Sequence, residues 1–214
     1  MTIPLLLVGQ HLPLEWSQSY GTYDRPVAHE PGGYSLGFSI NNYAFYEHEE
    51  DTDSTAYDTR RFDIYARLGI LKNTELEFKF SSPTCGVVSA KYLIAKSVAG
   101  IAIKTGFGYM KGTRSGFITD YVLDFYPTLL LSYELTEHII IYGAQKIIYS
   151  VHIRDQEEQS EREPRHIFQY GPGIGLALGG DFAVMIESNW LWGNNEGARY
   201  VANLFGLGIN VKIH

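Results

Sequence analysis

The sequence predicts an all-β fold, an antiparallel up-and-down transmembrane β-barrel of about ten strands, and three observations predict it. Apolar residues recur at every second position through most of the chain after residue 33, the alternation of a strand and not of a helix. The segments so defined are often about eleven residues or longer, where ordinary strands average ~5–6 and a tilted membrane-spanning strand needs ~9–11. Aromatic residues gather near segment ends, where amphipathic rings settle at a membrane interface. The composition agrees: 45% of 214 residues are hydrophobic, with 16 Tyr and 22 Gly.

The predicted strands are 34–46, 60–71, 75–82, 86–96, 99–111, 118–134, 138–153, 166–178, 181–192 and 199–213. Their number is even, as in bacterial single-chain barrels. In the second, Phe62, Ile64, Ala66, Leu68 and Ile70 oppose Arg61, Asp63, Tyr65 and Arg67. In the third, Leu76, Phe78 and Phe80 oppose Glu75, Glu77 and Lys79; in the fourth and fifth, Lys91 and Lys104 lie on the polar side. The sixth sets Tyr121, Leu123, Phe125, Leu129, Leu131 and Tyr133 against Asp120, Asp124 and Glu134. The seventh is the least regular; its outward set Ile139, Ile141, Ile147, Tyr149 and Val151 also places Gln145 on the lipid side. The ninth and tenth follow Phe182, Val184, Ile186, Trp190 and Trp192, then Phe205, Leu207, Ile209, Val211 and Ile213.

Connections at 72–74, 97–98, 136–137 and 179–180 read as short turns, and 47–59, 112–117, 154–165 and 193–198 as longer loops; the short 83–85 link breaks the trend. Short turns on one rim and longer loops on the other match an outer-membrane barrel, with the short rim and both termini periplasmic. Residues 34–214 form the barrel. Residues 1–33, with Pro4, Pro13, Pro26 and Pro31 and no alternation, form a plug or a periplasmic tail, and the glycine row Gly171, Gly173, Gly175 leaves interior space for such a segment. No run approaches the ~18 apolar residues of a spanning helix. Ile3–Val8 lacks a basic flank, so location in the bacterial outer membrane requires that a signal peptide has been removed.

In a bilayer the charged face must turn inward, because a mid-membrane Lys or Arg facing lipid costs ~2–4 kcal/mol. Arg61, Asp63, Arg67, Glu75, Glu77, Lys79, Lys91, Lys104, Asp120, Asp124, Glu134, Lys146 and Glu187 are thus expected inside. The signs nearly balance, which suits a salt-bridged filling. A water-soluble lipocalin-like barrel would carry the same alternation with its apolar side inward and a small ligand within.

The net charge of −7 argues against nucleic acid as a partner, and the single Cys85 excludes an internal disulfide and any multi-cysteine zinc site. No cofactor or metal is expected: the acidic loops around Glu49–Asp53 and Asp155–Glu163 match no calcium template. Arg154, Arg162, Arg165 and Lys111 suit lipopolysaccharide phosphates. Ser150, His152, Asp155 and His166 are candidates for a hydrolytic site at the rim, acting on lipid or peptide.

The organisation resembles the small monomeric outer-membrane barrels. The residues Phe168-Gln169-Tyr170-Gly171-Pro172-Gly173-Ile174-Gly175, Ile186-Glu187-Ser188-Asn189 and Gly208-Ile209-Asn210 also resemble the lipid A deacylase family. That family places a His shortly before its Ser-Asn pair. Here Ile186 and Glu187 stand there, so the nucleophile's base is missing. The resemblance implies an outer-membrane barrel without that activity. The chain is expected to be a narrow channel or a structural and surface-interaction protein, in contact with outer-membrane lipid and lipopolysaccharide and inserted by the barrel-assembly machinery.

Overall fold

A computed structural model describes residues 20–48, 55–82, 85–115, 118–156, 164–195 and 198–213. Eleven strands follow one another: β1 (Tyr34–His48), β2 (Thr55–Leu71), β3 (Thr74–Ser81), β4 (Cys85–Lys96), β5 (Ala99–Ser115), β6 (Ile118–Phe125), β7 (Thr128–Thr136), β8 (Ile139–Gln156), β9 (Arg165–Gly179), β10 (Phe182–Asn195) and β11 (Ala198–Ile213). Every pairing is antiparallel, and β1 pairs with β11 to close the ring. β6 and β7 both lie between β5 and β8. They occupy one position, so the barrel has ten places around its circumference.

The expected single strand 118–134 is therefore divided, at Tyr126–Pro127. Ile147 donates its N–H to the Pro127 carbonyl at 3.0 Å, and proline has no N–H to return. A second correction concerns the loops. Residues 112–115 and 193–195 continue β5 and β10 rather than forming loops. Strand extension thus supplies much of the taller rim. On the short rim, Asn73 turns the chain with a φ of 67° and Gly179 with a φ of 115°, conformations that Asn and Gly tolerate best.

The apolar alternation faces out. Ile64, Phe107, Ile174, Phe182 and Phe205 are each more than half exposed, while Arg67, Glu75, Lys91, Asp124 and Glu187 on the opposite faces are buried. This corrects the soluble-barrel alternative, which needs the reverse. On β8, Gln145 faces outward and Lys146 inward.

Inward tyrosines fill the ring by lying on glycines of neighbouring strands. A Cβ placed at Gly37, Gly106 or Gly175 would sit 2.1–2.4 Å from ring atoms of Tyr65, Tyr126 or Tyr142. The space over Gly173 belongs to Asn189, and Gly171 abuts the Trp190 carbonyl. The glycine row of β9 therefore receives side chains of β8 and β10, not the N-terminal segment. Tyr23 instead lies over Gly206 and Gly208 of β11.

Two substitutions test this arrangement by unfolding from vesicles. Ile64→Arg is expected to lose about 2–4 kcal/mol, the cost of a cation on the lipid face. Gly175→Val is expected to lose about 1–3 kcal/mol by overpacking against Tyr142.

Candidate functional site

The chemistry-bearing residues converge on the lumen. Period-two alternation sends Arg67, Glu75, Glu77, Lys91 and Lys104 inward from β2, β3, β4 and β5, and antiparallel register brings them together: Arg67 pairs with Glu77, and Glu75 with Lys91. Arg67 Nε lies 2.7 Å from Glu77, Lys104 Nζ 2.7 Å from Glu77, and Lys91 Nζ 2.9 Å from Glu75.

Residues 20–33 cross this cluster. Asp24 is buried, and its carboxylate lies 2.6 Å from Lys91 Nζ, 3.2 Å from Lys104 Nζ and 3.8 Å from Arg67 Nε. Three carboxylates thus meet three cations within one network. Arg67 also donates to the Tyr23 carbonyl at 2.8 Å.

On the other wall, Glu187 accepts the backbone N–H groups of Thr22 and Tyr23, both at 2.7 Å. Successive N–H groups converging on one carboxylate make an anion nest. Glu187 also accepts from Tyr142 O–H at 3.0 Å and Asn189 at 2.8 Å, and lies 3.2 Å from Lys146. Lys146 donates to the Tyr20 carbonyl at 2.6 Å and to Asn189. Tyr20 and Tyr23 adopt positive φ of 40° and 38°, uncommon for bulky residues and fixed here by these clamps. Tyr23 O–H donates to Asn41.

At the short rim the His29 N–H donates to Glu75 at 3.2 Å, and its ring lies 2.9 Å from Ser35 Oγ. Burial, together with Lys91, Arg67 and Lys212, outweighs Glu75 and holds the imidazole below its ordinary pKa. Two cavities share no lining residue: about 160 Å³ beside Asp24, Arg25, His29 and Lys212, and about 20 Å³ beside Tyr20, Lys79 and Tyr126.

The remaining interior charges are separate from this network or at its edge. Asp63 accepts from Ser39 and Asn41, each at 3.1 Å. Arg61 reaches the Ser82 carbonyl at 3.3 Å. Lys79 is buried beside the smaller cavity. Glu134 is only part-buried, because β7 is approaching the turn at 137–138.

The four rim candidates do not form one constellation. Ser150 donates to Asp124 at 2.6 Å, and His152 Nε2 lies 2.9 Å from Asp120. The serine hydroxyl is thus given to a carboxylate rather than to an imidazole base. His166 is on the outer surface, stacked on Tyr149 with its Nδ1 2.7 Å from the phenol oxygen. The side chain of Asp155 lies outside the described residues, as do residues 1–19, Arg162 and most of the acidic loops. In the deacylase-like stretch, Ser188 faces outward while Glu187 and Asn189 face the lumen.

Sequence reasoning missed Asp24, Tyr23 and Asn189, the pieces that join the walls. Asp24 carries no periodic signal. Asn189 stands out in the sequence only as part of the Ser188-Asn189 pair.

No protein-family description matches the chain, and no curated protein matches it. Solved structures do. The outer membrane protease OmpT from Escherichia coli is 10% identical, with 90% of this chain aligned to all of that one and a TM-score of 0.52. Neisserial surface protein A is 8% identical over 84% of this chain and 97% of that one, with a TM-score of 0.47. Ail of Yersinia pestis is 14% identical over 84% and 99%, with a TM-score of 0.39. At 10% identity the likeness to OmpT shows the fold alone, that of an outer-membrane β-barrel.

Asp24→Ala leaves Lys91 and Lys104 short of a buried counter-charge and is expected to destabilise the barrel by about 3–5 kcal/mol, measured by unfolding in detergent. The lowered pKa of His29 makes its neutral form the docked one. Its contribution is therefore present above the ordinary histidine pKa of about 6.5 and falls as pH drops below it. Between pH 7 and 5, protease access to residues 20–33 should rise, and His29→Gln should flatten that rise.

Proposed function

We propose that the protein is a closed barrel of the bacterial outer membrane, a structural and surface-interaction protein in which residues 20–33 plug the lumen. The observation that carries this reading is Asp24, inserted between Lys91, Lys104 and Arg67 while Glu187 holds the preceding two residues from the opposite wall. A solute crossing the barrel would have to displace both clamps. The cavity beside Asp24 and the one beside Tyr20 have no lining residue in common, and the two clamps lie between them.

Interaction then falls to the taller rim. Lys111 is exposed there above the Tyr121 ring, at 5.6 Å, and Arg165 is also exposed. Both suit the phosphates of lipopolysaccharide. Insertion by the barrel-assembly machinery follows from an outer-membrane location.

Planar-bilayer recording tests the reading. The wild-type protein, inserted and heat-modifiable, is expected to give no steady conductance, and Asp24→Ala to give intermittent openings. Steady ohmic current through the wild type would make the protein a narrow channel.

A further inference from the structure

The lipid-facing surface of β8 carries an amide that the chain itself does not satisfy. Outward positions run Ile139, Ile141, Gly143, Gln145, Ile147, Tyr149 and Val151, so Gln145 is central among them and lies deep in the apolar belt. Its cross-strand neighbours are Leu129 on β7 and Pro172 on β9, and both point outward. The Gln145 side chain is exposed and has no hydrogen-bond partner among the described residues. Unpaired amides are costly in hydrocarbon, where no water relieves them.

The surroundings have a low profile. Pro172 on β9 and the half-buried Pro127, at the break between β6 and β7, flank Gln145. Gly143, one step away on the same face, has no internal reason to be glycine: a Cβ there would meet only the Gly173 carbonyl, at 3.6 Å. The barrel's own packing therefore does not account for the shallow surface or for the amide within it.

We propose that this face, centred on Gln145 with Leu129, Gly143 and Pro172 around it, is the contact surface for a second copy of the same chain. Two barrels inserted in the same direction are related by a two-fold axis along the membrane normal, which puts both Gln145 residues at one depth. A carboxamide carries a donor and an acceptor. Two of them facing each other across that axis satisfy one another, as an isologous interface requires. Lipid does this poorly, since its ester and phosphate groups lie at the interface and its acyl chains offer neither donor nor acceptor. Glycine and proline let the two surfaces approach closely, as small residues do between membrane segments.

The test is disulfide trapping of full-length protein in phospholipid vesicles, in a Cys85→Ser background. Leu129→Cys, beside Gln145, should give a covalent dimer on oxidation. Ile64→Cys, on β2 across the ring, should not. Adding Gln145→Leu to the Leu129→Cys protein should reduce the trapped dimer about tenfold, the effect of one or two hydrogen bonds between membrane segments, with heat-modifiability confirming that each variant is folded. Equal trapping at the two cysteines, or trapping indifferent to Gln145→Leu, overturns the proposal. So does a wild type that stays monomeric at every protein-to-lipid ratio. A monomer that retains a lipid in native mass spectrometry also overturns it and assigns the face to that lipid.

Discussion

The structure depends on one constraint: charge excluded from the lipid face has to be neutralised inside a ring of only ten strands. Asp24 makes that possible. Without it, Arg67, Lys91 and Lys104 would share Glu75 and Glu77 alone. With it, cations and carboxylates match. Desolvation makes buried ion pairs costly unless every partner is well placed, so the position of Asp24 bears on the whole interior. That position is in turn set by Glu187, which grips the two residues before it.

Tyrosine and glycine are the mechanical counterpart of this network. Inward rings at Tyr65, Tyr126 and Tyr142 need room in a lumen already crossed by a peptide segment, and glycines on the adjoining strands provide it. Tyr23 follows the same rule from outside the sheet, lying on Gly206 and Gly208. One packing device thus serves both the wall and the segment within it. The lumen is filled by side chains that interlock, and the charged groups of the network between them are paired across the ring.

The outer surface obeys a different solvent. Where the interior tolerates charge by pairing it, the exterior tolerates almost none, and its exceptions carry information. The division between β6 and β7 and the shallow surface around Gln145 fall in the same sector, on the strands either side of β8. The two proposals separate accordingly: closure rests on the lumen, and association within the membrane rests on the β8 face.

The sequence by itself determined the ten places around the ring, which residues share a face and the sorting of charge to one side. These follow from a period of two and from the cost of charge in hydrocarbon, both local properties. It also set Gln145 on the lipid side. Alternation was silent about the break at Tyr126–Pro127, because proline keeps the apolar rhythm while removing a ladder donor. It was equally silent about the ends of β5 and β10, where polar residues continue the strand beyond the membrane. What only the tertiary structure decided is which groups meet. Ser150 reaches Asp124 and His152 reaches Asp120, while His166 lies on the other side of the wall. Asp24, in a segment without periodicity, becomes the centre of the ion network, because burial and proximity across the ring depend on register and closure, which no local pattern encodes.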